Sequence, residues 1–139
     1  MITLKTTGQS QASTGSRIQR VISPGGIEAW LIEEKAVPLI AMELSFEGGS
    51  AQDPAGKAGL SHFLSGMFDE GAGPYDAIAF QEAADEQAIV LRFSQSRDAV
   101  SASLKTLTRH REKAFELLRL ALTEPRFEAE AIERVRAQI

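Results

Sequence analysis

Cysteine is absent from the chain. That excludes disulfides, thiolate metal ligands and a cysteine nucleophile, so any metal site would have to be built from His, Asp or Glu. Histidine is scarce as well, with only His62 and His110 present. Basic charge is outnumbered, 15 Lys and Arg against 19 Asp and Glu, giving a formal net charge of -4. A phosphate-binding surface needs clustered cations, so nucleic acid is not expected as a partner. No apolar run approaches the roughly 18 residues that an α-helical membrane span requires. The opening stretch "MITLKTTGQSQASTG" lacks the continuous apolar segment of an intact signal peptide. Its Thr, Ser, Gln and Gly content predicts a flexible lead-in over residues 1–17.

What remains is ordinary globular composition, 43% hydrophobic and 24% charged, in 139 residues. That length predicts one domain with one hydrophobic core over residues 18–139. "RIQRVIS" and "GIEAWLIEE" flank Pro24-Gly25-Gly26 and read as two strands around a turn. Ile40, Met42, Leu44 and Phe46 then alternate with Ala41, Glu43, Ser45 and Glu47, a strand with one buried face. From Gly59 the period changes. Leu60, Phe63, Leu64, Met67 and Phe68 share one helix face, and Gly71-Ala72-Gly73 stops that helix. Pro74 opens a second helix that runs to about Ala88 with Ala77, Phe80, Ala84 and Ala88 as its stripe.

"IVLRFS" and "DAVSASLKTL" alternate as two further strands. Arg111 to Leu122 returns to helical spacing, with Ala114, Phe115, Leu118, Ala121 and Leu122 in line. After Pro125 a last helix aligns Ile132, Val135 and Ile139. It reaches Ile139 without a stop signal, which predicts a domain truncated at its C-terminus. The whole order predicts an α+β fold: a largely antiparallel sheet with helices packed on one face, in two layers.

The stretch "SFEGGSAQDPAGKAGLSHFLSGMFDEGAG" resembles the N-terminal domain of the insulinase and pitrilysin metallopeptidase family, which includes the mitochondrial processing peptidases. The likeness runs from about Ile18 and includes Pro125 and Phe127. In active members Gly-Leu-x-His-Phe-Leu-Glu-His-Met carries the inverted zinc motif H-x-x-E-H. Two histidines one helical turn apart bind the zinc, and the glutamate serves as general base for its water. Here the first histidine position is His62, the glutamate position is Ser65 and the second histidine position is Gly66. Serine is no carboxylate base near neutral pH, and glycine has no ligand atom. The three positions are therefore vestigial, and no catalytic or metal-binding residue is expected in this chain. The third ligand of active members, a downstream glutamate, would fall at or beyond the chain end. Asp69, seven residues past His62, stands too far along a helix to share its metal, about 10.5 Å by axial rise. His110 belongs to a distant helix.

The resemblance implies a non-catalytic subunit that pairs with a zinc-bearing homologue and helps form a peptide-binding chamber. Zinc is then expected in the partner and no cofactor in this chain. Two alternatives stay open: a zinc-dependent endopeptidase using an atypical site or a motif outside this fragment, and a self-associating binding domain, possibly a homodimer. A periplasmic location is an expectation from the resemblance only.

Weaker signals read as structure. Gly48-Gly49-Ser50 and Gly56-Lys57 have the wrong spacing for a phosphate loop, and Ala58 stands where Ser or Thr should hold magnesium. They are expected to be turns. Asp69-Glu70 and the Glu82, Asp85, Glu86 group are expected to be solvated helix faces. Ser61 and His62, adjacent on a helix, point apart. Ser65 is expected to share the face of His62, without the oriented base and oxyanion site a nucleophile needs.

Overall fold

The computed structural model describes residues 17–139. The lead-in expected over residues 1–17 lies almost wholly outside them. The chain divides into two units, ending and beginning at Val37 and Pro38.

In the first unit, β1 (Gln19–Ile22) and β2 (Glu28–Leu31) form an antiparallel hairpin, with Arg20 opposite Trp30 and Val21 opposite Ala29. Its turn closes through the Ser23 and Gly26 amides, which donate to the Ile27 and Ser23 carbonyls. Gly26 has φ +86°, a conformation glycine adopts without steric cost.

The second unit carries β3 (Leu39–Glu47), α1 (Leu60–Ser65), α2 (Ala77–Asp85), β4 (Val90–Gln95), β5 (Ala99–Leu107), α3 (Arg111–Thr123) and α4 (Ala129–Arg136). Its sheet has the order β3-β5-β4, antiparallel throughout. The strands thus fall into two sheets, of two and three strands, where the sequence reading drew one.

Alternation decides which sheet face is buried. Met42, Leu44, Leu91, Phe93, Ala102 and Leu104 meet the helices, while Glu43, Ser45, Arg92, Ser94 and Lys105 take the opposite face. Phe80 of α2 and Leu117 of α3 complete this core and are almost fully buried, each worth roughly 1.5–3 kcal/mol against exposure. A second, smaller cluster lies apart from it: Met67, Ala131 and Val135, with Phe63 and Ile132 at its margin. The single core expected from chain length is therefore divided, because Phe63 of α1 and Met67 just after it pack with Ala131, Ile132 and Val135 of α4.

Two helices differ from expectation. α1 ends at Ser65 instead of continuing through Phe68, since the Gly66 and Met67 amides turn back to the Phe63 and Leu64 carbonyls and tighten the chain into a 3-10 turn. α2 begins at Ala77, not at Pro74, because Asp76 accepts the Ala79 amide at 2.8 Å and caps it. It ends at Asp85, leaving Ala88 exposed at φ +51°.

Two ties set the position of α1 and α4. The turn after β3 is pinned to the β4–β5 turn by the Gly48, Ser50 and Ala51 amides, which donate to the Asp98, Ser96 and Arg97 carbonyls. Gly49 makes that possible: with φ +73°, a Cβ there would stand 2.3 Å from the Ser96 carbonyl oxygen. Farther on, the Gly73 amide donates to Glu124 and the Arg126 amide to Gly71. This ladder joins the α1–α2 connection to the α3–α4 connection and delivers α4 to the side of α1.

Candidate functional site

α1 starts without a side-chain cap of its own, because Gly59 precedes it. Asp53 substitutes, its carboxylate accepting the Ser61 amide at 2.9 Å and the Gly59 amide at 2.8 Å. Those donors, Ser61 first, hold the Asp53 carboxyl below its ordinary value. The acidic loop before the helix is thus the helix's own N-terminal anchor.

The three motif positions then separate. His62 is exposed, while Ser65 is buried at 6% exposure. The Ser65 hydroxyl donates to the His62 main-chain carbonyl at 2.8 Å, so Ser65 is engaged with its own helix backbone and not with the His62 imidazole. Leu60, expected to be buried, is 45% exposed, and Ser61 takes the inward position instead. Ser61 is buried beside an exposed His62, so the structure does not bring a nucleophile and base together.

Gly66 faces α4. A Cβ built on it would lie 3.2 Å from Val135 Cγ1 and 3.5 Å from the Phe63 carbonyl oxygen. Val135 therefore crowds the space a side chain at that position would need. These residues do not fit a zinc site: one exposed imidazole is present where two imidazoles and a carboxylate are required. Among the described residues no group of three His, Cys, Asp or Glu could hold a metal ion. His110 is engaged elsewhere, its Nε2 accepting from Arg109 Nε at 3.0 Å.

Asp69 departs from its expected place. With α1 ending at Ser65, it stands in the following turn, half-buried, rather than on a solvated helix face. Burial first, then the charge of Glu70, raises its carboxyl, and its own amide only partly opposes them. It borders two crevices along β4, of about 450 and 210 Å³. Periodicity could not show this, since it continued the helix past Gly66. Glu70 pairs with Arg134 of α4. Glu82 and Asp85 border a third crevice, about 480 Å³, between α2 and α4, and with Glu86 they are exposed as expected. The glycine-rich segment offers no phosphate cradle, because the Gly48, Ser50 and Ala51 amides are committed to the β4–β5 turn.

Fold and helix placement together define a domain of metallopeptidase type. Residues 30–139 match the family model described as insulinase, peptidase family M16, and the chain belongs to that family. A similar protein from Helicobacter pylori (strain ATCC 700392 / 26695), named non-peptidase homolog YmxG, is 25% identical over 107 residues. The match covers 77% of this chain and 25% of that protein. Among solved structures, a peptidase M16 inactive domain from Pseudomonas fluorescens superposes with TM-score 0.79 at 26% identity, covering 87% of this chain and 30% of that one. A structure described as a protease from Helicobacter pylori has the same fold at TM-score 0.74 and 19% identity, covering 87% of this chain and 29% of that one. The chain thus spans between a quarter and a third of the length of these relatives.

No helix among the described residues is long and apolar enough to cross a membrane.

Proposed function

We propose that this chain is a non-catalytic member of the insulinase family that pairs with a zinc-bearing homologue and contributes to a peptide-binding chamber. One observation carries the reading. The helix at the zinc-motif position keeps its packing while its chemistry is replaced: Ser65 is buried against its own helix backbone, and Gly66 is closed over by Val135. An ordinary catalytic site would keep those two positions open to an ion and a water. The names of two relatives, a non-peptidase homolog and an inactive domain, support the same reading.

Peptide contact has a structural basis in β4. It ends the three-stranded sheet, and α1 and the turn after it pack beside it, with the Phe68 ring of that turn 5.2 Å from the Phe93 ring. An edge strand presents unpaired main-chain donors and acceptors to which an extended segment can add. His62, Ser65 and Gly66 would take no part in bond cleavage.

Sedimentation of the protein with a homologue that bears an intact H-x-x-E-H motif, at micromolar concentration, tests the pairing. A stable mixed complex is expected. Two separate boundaries would refute the pairing, and self-association alone would point to the binding-domain alternative. Zinc near one equivalent in the isolated chain, with chelator-sensitive peptide cleavage, would establish the peptidase alternative.

A further inference from the structure

α4 is lightly held. It buries only Ala131 and Val135, against Ala114, Leu117, Leu118, Leu120 and Ala121 in α3. Both belong to the small second cluster, where they pack with Met67. At eight residues, and with no side-chain cap at Glu128, α4 is too short to stay helical by itself. One ion pair, Arg134 with Glu70, ties it to the turn after α1. Charge on the side toward α2 works against docking. The crevice of about 480 Å³ is lined by Glu128 and Glu130 as well as by Asp76, Glu82 and Asp85, and its one cation, Arg134, is committed to Glu70. Glu128 is paired with Arg126 and Asp76 caps α2, which leaves Glu130, Glu82 and Asp85 as like charges across the gap. The chain just before α4 is fixed, because the Gly73 amide donates to Glu124 and the Arg126 amide to Gly71. The next residue, Phe127, has φ +49°, a costly conformation for a bulky side chain.

We infer that α4 is a hinged strap: it undocks from α1 about Phe127 as one unit, while the sheet, α2 and α3 stay closed, and so uncovers Phe63 and Met67. The Glu70–Arg134 pair and the small cluster hold it shut. Carboxylate repulsion across the crevice and the backbone of Phe127 favour release. Opening of this kind takes place in the least stable unit of a fold, below the free energy of global unfolding. It does not depend on the peptide-binding reading, since a chain that binds no peptide would open in the same way.

Two readouts on the full chain test it: amide exchange followed residue by residue, and oxidation of Met67 by dilute peroxide. Amides of α4 are expected to exchange at least about a hundredfold faster than those of α3, while the Gly73 and Arg126 amides exchange as slowly as α3. Met67 is fully buried when α4 is docked, so its conversion to the sulfoxide reports the uncovered state. Arg134→Ala should speed α4 exchange and Met67 oxidation by about fivefold each and leave α3 unchanged. Glu82→Gln combined with Asp85→Asn should slow both by about twofold. Exchange of α4 at the rate of α3 would overturn the inference, because no local opening would then exist. So would fast α4 exchange with Met67 oxidation indifferent to Arg134→Ala, the mark of a helix that frays while the cluster stays closed. Gly73 and Arg126 amides that exchange together with α4 would overturn the hinge at Phe127, and a double variant that changes neither readout would overturn the role of the carboxylates.

Discussion

Ser65 donates its hydroxyl proton to the main-chain carbonyl of His62, 2.8 Å away, so the two residues are joined as ordinary helix neighbours. Ser65 is buried and His62 is not. The bond returns a helix serine to its own backbone, which adds little stability. Ser65→Ala should therefore change unfolding free energy by less than about 1 kcal/mol. Ser65→Glu, which restores the motif's carboxylate, forces a charge into a filled niche and should cost about 2 kcal/mol or more. Urea denaturation of the two variants checks the contrast.

The contact between Gly66 and Val135 predicts coupling between α1 and α4. Gly66→His should overpack the second cluster and cost about 1–3 kcal/mol. Val135→Ala, destabilising alone, should partly relieve that strain, giving a favourable interaction of about 1 kcal/mol in a double-mutant cycle. Additive effects would mean that Val135 does not limit the space at position 66.

Much of this architecture was legible in residue spacing. Period-2 alternation in β3, β4 and β5 and the Leu118–Ala121–Leu122 stripe of α3 placed the nine elements in their observed order. Pro74 signals a helix start, but the start falls at Ala77, where Asp76 is the cap. The end of α1 is hidden in the sequence because Met67 and Phe68 continue the helical period, whereas the chain tightens into a 3-10 turn at Gly66. The spacing singles out His62, Ser65 and Gly66, but it does not show their packing partners. Val135 reaches Gly66 only because the ladder between residues 71–73 and 124–126 brings α4 alongside, and no local pattern encodes a contact between such distant residues. The place of Asp69 is hidden for a related reason: it depends on where the helix stops.

Asp69 also makes a prediction about pH. Its carboxyl is raised in the folded chain, so the native state binds the proton more tightly than the unfolded state does. Stability should therefore increase as pH falls through the raised folded value toward the ordinary aspartate value of about 3.9. Asp69→Asn should be more stable than the unmodified chain at neutral pH, with the gap closing in acid. Thermal melts across that range check the sign, and a destabilised Asn variant at neutral pH would contradict it.

Asp53 should behave oppositely. Its carboxyl is lowered by the Ser61 and Gly59 amides, so its contribution is present above the ordinary aspartate value of about 3.9 and is lost as pH falls through the depressed folded value. Asp53→Ala should destabilise the chain at neutral pH and flatten this part of the acid limb. Amide exchange at Ser61 and Gly59, faster in the variant, would locate the loss at the start of α1.

The most direct test of the account is a peptidase assay in which a homologue with an intact H-x-x-E-H motif is titrated with this chain against a fluorogenic peptide. The account predicts no cleavage by this chain alone and a rise in the homologue's activity that saturates at one chain per homologue. Chelator-sensitive cleavage by this chain alone, or a homologue whose activity is indifferent to it, would contradict the account.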